Sequence, residues 1–510
     1  MQKKGIILCL LCFLTACSVT PKPITINDNY KEAKNDLKQL FSRQEELVGK
    51  LSFEDALARG LKYNLDYRIK LVNTALQAGQ LSLAKYMMFP SLNLSGSLYT
   101  RSNEFASSGI TSTGQLTDVL NSTPRTLLTA RAGLTWNILD FGLSYVKAKQ
   151  QGNRLLIAEE ESRKQLQQLS QDVLIAYWNA YSAQQLVKST EEFKILLERA
   201  KRKLNIAIKD KSIPKENLLN FEASLLEGNR RLIQLEYKYD KAMFDLKHLL
   251  NLPLDQNIIL APPPIMAMRT RSLGELDFAK LDAITLVSRP ELRSQKYQER
   301  IAKLGIKTTI LQALPGIPLN YGWNYNSNKY LVNEKWLDRS MDVSWNLLNL
   351  ISLPTSLSTA RTEVEYEKLK LMALTLAVLT ETRYAYTHYQ TLNKEYDVAH
   401  KQTENAVELY TLTKNREQAS LASMQQVILA KLKAITTQMD EDLLLSDLST
   451  ALGQLYLSIG ADIIPIDMDN ASIPTVTRTI KQNFALQNTM DITRYVDNTY
   501  KELFGDTQLV

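Results

Sequence analysis

The side chains able to do covalent, redox or metal chemistry are few and unevenly placed. The 510 residues include three Cys and three His. Cys9, Cys12 and Cys17 all fall in the first 17 positions, so the remaining 493 offer no thiol for a disulfide, a zinc or iron–sulfur site or a nucleophile. His248, His388 and His400 are scattered. His400 and Glu404 sit at i, i+4 and could share a metal, but two ligands do not make a site, and a surface polar pair is the stronger reading. Asp440, Glu441 and Asp442 read as a solvated helix face. No Walker A loop, dinucleotide-binding glycine fingerprint or nucleophile elbow occurs. The chain is therefore expected to be no enzyme, to have no catalytic residue, and to hold neither metal nor cofactor beyond a covalent group on Cys17.

Cys17 has a telling context. Lys3 and Lys4 precede a short apolar run at 6–14, which makes residues 1–16 a signal peptide too short to stay as a membrane span. Leu14, Thr15, Ala16 and Cys17 then resemble the lipobox of bacterial lipoproteins. The resemblance implies cleavage before Cys17 and acylation of its thiol, and Ser18 at the next position suits the outer membrane. The alternative is a free Cys in an ordinary secretory signal. A lipid contributes about 0.8 kcal/mol per buried methylene, so it tethers without spanning. No other stretch reaches about 18 consecutive apolar residues.

The elements must be mostly helical. Hydrophobic residues make up 45% of the chain, while Gly and Pro number only 18 and 15. The charge balance of 61 − 54 = +7 is too dilute to imply a polyanion partner. Arg199, Lys201, Arg202 and Lys203 form the densest basic cluster, better read as a solvated helix face than as a nucleic-acid patch.

The body repeats. Residues 65–68 match 290–293 and Phe89-Pro90 matches Leu314-Pro315, both at an offset of 225. Trp136 matches Trp345 and Tyr177 matches Tyr386 at 209, and Leu246 and Leu249 match Leu452 and Leu455 at 206. The first repeat thus carries about 16 extra residues in its loop. Repeat 1 is expected over 51–255 and repeat 2 over 281–460, with a linker at 256–280, an N-terminal anchored segment at 17–50 and a C-terminal segment at 461–510. Each repeat reads as a helix, a Pro, two strands around a loop, a very long helix and a return helix. Seams at alternating three and four spacing support this: Leu166, Leu169, Val173, Ala176, Ala180, Ala183 and Val187, then after a phase slip Phe193, Leu197, Ala200, Leu204 and Ala207, and in the second repeat Ala385, Tyr389, Leu392, Tyr396, Ala399, Thr403, Ala406 and Tyr410. Turns are expected near 210–214 and, by the repeat alone, near 415–421.

Four alternating runs are expected as strands at 91–100, 127–139, 316–326 and 337–347. Their apolar positions are Leu92, Leu94, Leu98, Leu134, Trp136, Ile138, Leu319, Tyr321, Trp323, Val343 and Trp345. Each is close to the length of a tilted membrane strand, and these residues would face lipid. The competing reading is a soluble sheet packed on the helices. In a bilayer four strands cannot close a barrel; two chains would give eight strands, filled by side chains, and three would give twelve with a lumen.

The lipobox, the tandem repeat, the Phe-Pro before a strand, and the Trp-Asn-Ile-Leu-Asp-Phe-Gly run at 136–142 together resemble the TolC-type outer-membrane efflux family over nearly the whole mature chain. The resemblance implies a mainly α protein with membrane β: a homotrimeric channel-tunnel in the outer membrane, with a 12-stranded barrel continuing as a helical barrel through the periplasm. It also implies a periplasmic adaptor protein and an inner-membrane transporter of RND or ABC type, in a tripartite efflux pump or a type I secretion system. Adaptor contacts would fall on the hairpin tips, at Lys209, Lys211, Ser212 and Pro214 and at Arg416, Glu417 and Ser420. The acidic residues that close some members are absent after the second tip, which leaves Gln425 and Gln426 as constriction candidates. The alternative function is a lipid-anchored periplasmic coiled-coil scaffold.

Overall fold

A computed structural model describes residues 21–42, 44–47, 49–210, 214–263, 276–461, 471–489 and 492–505. Cys17, Lys211 and Ser212 lie outside the described residues. The chain opens with α1 (Ile26–Phe41), then α2 (Phe53–Tyr63) and α3 (Leu65–Tyr86). Ser52 caps α2 by accepting from the Asp55 amide, and Asn64 ends α2 and caps α3 by accepting from Tyr67 N. After Pro90 come β1 (Ser91–Thr100), a small hairpin of β2 (Phe105–Ser107) and β3 (Leu120–Thr123), and β4 (Thr126–Asn137). The 73-residue α4 (Ile138–Asp210) and the 35-residue α5 (Lys215–Leu249) complete the first repeat.

The second repeat runs α6 (Phe278–Ser288), α7 (Pro290–Gln312), β5 (Pro318–Asn326), β6 (Lys335–Met341), the 72-residue α8 (Leu347–Gln418) and the 35-residue α9 (Met424–Ser458). Its break between α6 and α7 is made by different chemistry. Arg289 is held extended by Pro290, which stands at the first helical position where its missing N–H costs nothing. α10 (Ile473–Thr489) and α11 (Ile492–Phe504) follow.

Four expectations need correction. The fourth strand is 335–341, not 337–347, so Val343 and Trp345 lie beyond it, where an Asp342 N to Pro318 O hydrogen bond and a Gly316–Ser344 bridge continue the pairing. The second strand ends at Asn137, which puts Ile138 in the first turn of α4. The third begins at Pro318 rather than 316. The repeat offset also stays at 209 to the end of the return helices: Leu246 and Leu250 correspond to Leu455 and Ile459, all four fully buried, and the 206 alignment is a one-turn slip.

Most of the expected seam positions pack, but Leu166, Ala183 and Tyr410 are only half-buried and Val187 is exposed. Leu169, Val173, Ala176, Ala180, Phe193, Leu197, Ala200 and Leu204 are buried, as are Ala385, Tyr389, Leu392, Tyr396, Ala399, Thr403 and Ala406. One core joins α2, α4, α5 and α10 around Tyr177, whose hydroxyl lies 2.9 Å from the Leu51 carbonyl and 2.6 Å from that of Ala261. Its counterpart joins α6, α8, α9 and α11 around Tyr386. The two cores form a belt part-way along the long helices. Toward the strands the helices lie in the order α3, α4, α7, α8; toward the hairpin tips the order is α5, α4, α9, α8.

Candidate functional site

The sheet has the order β1-β4-β5-β6, all antiparallel. Its register sorts the side chains by face. One row carries Leu92, Leu134, Tyr321 and Arg339; the next carries Leu94, Ala132, Trp323 and Leu337; a third carries Trp136, Leu319 and Met341. On the opposite face, Ser91, Thr135, Asn320 and Ser340 align, as do Asn93, Gly133, Gly322 and Asp338. Arg131 reaches across these glycines to Asp338 at 3.5 Å. A Cβ on Gly322 would meet Asp338 Oδ1 at 2.4 Å, so the glycine clears the path of that ion pair.

The apolar face is bare. Leu94 is 79% exposed and Leu92 70%, and no strand residue belongs to any hydrophobic cluster. A soluble sheet would bury that face under helices; here it faces outward with nothing on it, the pattern of a strand that faces lipid. Arg339 lies over the Tyr321 ring at 5.5 Å, near the helix end of β6, where a cation and an aromatic suit a membrane interface. Among the described residues no helix is long and apolar enough to cross a membrane.

The open edges coincide. β1 and β6 end the sheet, and α3 and α8 end the helix layer below it. On α3 the residues Leu65, Ile69, Val72, Leu76, Leu83 and Tyr86 form an exposed seam at spacings of three, four and seven. The upper part of α8 exposes Ile351, Tyr366, Leu369, Met372 and Leu376, and α5 exposes Leu219, Leu226, Ile233, Tyr237 and Phe244.

At the tips, Lys209, Pro214, Arg416 and Ser420 are exposed. Glu417 is different. It accepts from Lys203 at 2.6 Å and lies 3.5 Å from Arg199, and these cations, Lys203 first, hold its carboxyl below the usual range. Half of the basic cluster read as solvated is thus tied to α8. The second turn lacks Gly or Pro because Ser420 itself adopts φ 60°, with Leu421 N donating to Arg416 O and Ser420 N to Glu417 O. Gln426 accepts from Ser423 N in a capping box that starts α9, and Gln425 reaches the Ser224 hydroxyl at 3.4 Å.

The acidic run is not simply a solvated face. Glu441 lies 2.6 Å from His400 Nδ1 and 3.3 Å from the Tyr396 hydroxyl, joining α9 to α8. Burial, and then neighbouring Glu441, push Asp442 up to about 6. His400 does pair with Glu404, at 3.5 Å, but no group of metal ligands forms among the described residues.

No protein-family model and no curated protein matches the chain. Solved structures do. It is similar to the outer-membrane channel OprN at 16% identity and TM-score 0.63, covering 80% of this chain and 90% of that one. It is similar to the CmeC outer membrane channel of Campylobacter jejuni at 14% identity and TM-score 0.64, covering 91% and 97%. It is also similar to the open state of the MtrE outer membrane channel of Neisseria gonorrhoeae at 13% identity and TM-score 0.63, covering 82% and 94%. The chain has the fold of these channels.

Proposed function

We propose that three copies of this chain form the outer-membrane channel of an export machine, passively conducting substrate across the periplasm and outer membrane. The observation that carries the proposal is the coincidence of edges. A four-stranded sheet with a lipid-type outer face cannot remain open in a bilayer, because its edge N–H and C=O groups would find no partner. Pairing β6 of one copy with β1 of the next closes twelve strands in three steps, and the same rotation sets the exposed seam of α8 against that of α3. The polar face then lines a lumen, and the long helices, at about 1.5 Å per residue, extend it by about 110 Å.

In this reading Cys17 carries a covalent lipid that holds the N-terminus at the membrane. The tips at Lys209, Lys211, Ser212 and Pro214 and at Arg416, Glu417 and Ser420 meet a periplasmic adaptor. Gln425 and Gln426 lie at the narrow end, and an inner-membrane transporter supplies the energy. The channel likeness of OprN, CmeC and MtrE supports the reading. Crosslinking of detergent-extracted outer membranes should trap a trimer, and electron microscopy should show a hollow cylinder capped by a barrel. A monomer released by salt, or by Cys17→Ser alone, would sink the proposal and favour a periplasmic scaffold.

A further inference from the structure

A large cavity lies away from the strands and the tips. It measures about 820 Å³ and sits over α4 between α5 and α9. That is the size of a drug-like ligand site. Its apolar lining includes Ile175, Val187, Leu235, Met439 and Leu443, and Tyr239 contributes a ring. Its polar groups are strongly biased. Six carboxylates line it, from Asp172, Glu191, Glu236, Asp240, Asp245 and Asp442, against two ammonium groups, Lys238 and Lys241, and the imidazole of His248.

Two of these carboxylates are unmatched. Among the described residues no cation pairs with Asp172 or Asp442. Burial raises Asp172, and burial with Glu441 raises Asp442, so both sit where ionising is costly. An unpaired carboxylate in a partly apolar cavity gains most from a ligand that brings a positive charge together with apolar surface.

The cavity also has a side. At 100° per residue, Asp172, Ile175, Asn179 and Ser182 lie on α4 opposite Tyr177. Tyr177 points into the core under α2 and α10. The belt is therefore on one side of the helix layer and the cavity on the other.

We propose that this cavity is a binding site for organic cations with a hydrophobic body. It rests on the channel reading only in one respect: there, the cavity side is the inner wall, and three sites ring the tunnel at the depth of the belt. Weak multi-site binding of this kind raises the local concentration of cationic cargo without trapping it.

The test uses the purified full-length protein in detergent, with tetraphenylphosphonium and tetraphenylborate as probes of equal shape and opposite charge. Flow dialysis should give saturable binding of the cation, one per chain, at least tenfold tighter than the anion. The double variant Asp172→Asn/Asp442→Asn should weaken the cation at least tenfold and leave the anion unchanged. Ile175→Trp, which fills part of the cavity, should weaken the cation as well, with the thermal unfolding midpoint confirming that each variant is folded. Equal binding of both ions, or an unchanged cation affinity in either folded variant, overturns the site. Conductance of the same preparation in planar bilayers separates the two readings. A conducting protein without cation preference defeats the site alone, and saturable, charge-selective binding without conductance defeats the channel alone.

Discussion

Glu417, in the last turn of α8, accepts a 2.6 Å hydrogen bond from Lys203, two turns before the end of α4. The two hairpins of one chain are therefore joined just above their tips, with Arg199 as a second partner at 3.5 Å. Opening that moves the hairpins apart must break this contact. Glu417→Gln should increase the open fraction in planar bilayers, and a crosslink between Lys203→Cys and Glu417→Cys should abolish export. Full crosslinking with unchanged export would show that the tips move as one body. The pH dependence has a definite sign. The Glu417 carboxyl is lowered in the folded protein, so the link is intact above the ordinary carboxylate range and is lost only as pH falls through the lowered value.

Much of this architecture is legible in the sequence because two signals reinforce each other. The constant offsets of 225 and 209 predict a second turn with no local marker, and Ser420 supplies it by adopting a conformation usually left to Gly. The fourth strand departs from its expected bounds for a physical reason. Alternation persists from Met341 to Leu347, but an edge strand is defined by its one partner, and Pro318 ends the β5 ladder there. The ion pair at Glu417, the contact of Gln425 with Ser224 and the acidic cavity depend on helix rotation and on contacts more than 200 residues apart, which periodicity does not encode.

The two faces of the sheet should tolerate charge very differently. Leu94→Lys places an ammonium on the bare apolar face and should cost about 2–4 kcal/mol near a bilayer midplane. Asn93→Lys, one residue away, points to the polar face and should cost little. Folding into lipid vesicles followed by gel mobility would compare them. Similar losses in both would mean that β1 does not span a membrane.

Three positions with positive φ should respond in three ways. At Gly460, φ is 74° and a Cβ would lie 2.7 Å from the Ser288 carbonyl carbon and 2.9 Å from Arg289 N. Gly460→Ala therefore combines a left-handed backbone with overlap at the joint of α6, α7 and α9, and should cost about 2–5 kcal/mol. Gly505, at φ 63° with nothing within 4 Å, should lose only about 1–2 kcal/mol on the same change. Ser420→Gly should stabilise the second tip by up to about 1 kcal/mol. Thermal unfolding midpoints would order the three, and a Gly460→Ala midpoint equal to that of Gly505→Ala would refute the overlap.

Asp442 should make stability fall as pH rises through the mildly acidic range. Its pKa is about 6 in the folded chain against an ordinary 3.8, so the folded state holds its proton more tightly than the unfolded state does. The stabilisation is fully present below the unfolded value and is lost as pH climbs toward 6. The groups around it explain the direction. Burial comes first and Glu441, its neighbour on α9, second; Tyr181 on α4 is itself raised by burial and then by the Asp442 charge, and Asp172 and Asp245 line the same cavity, with Lys238 and Lys241 as the cations there. Holding a proton that much more tightly is worth about 3 kcal/mol as an upper limit, since part of the group is wetted. Asp442→Asn should flatten this segment of the pH–stability curve and raise the unfolding midpoint at pH 7, while weakening cation binding. A variant less stable than the parent at pH 7 would mean that the carboxylate has a partner that offsets its burial.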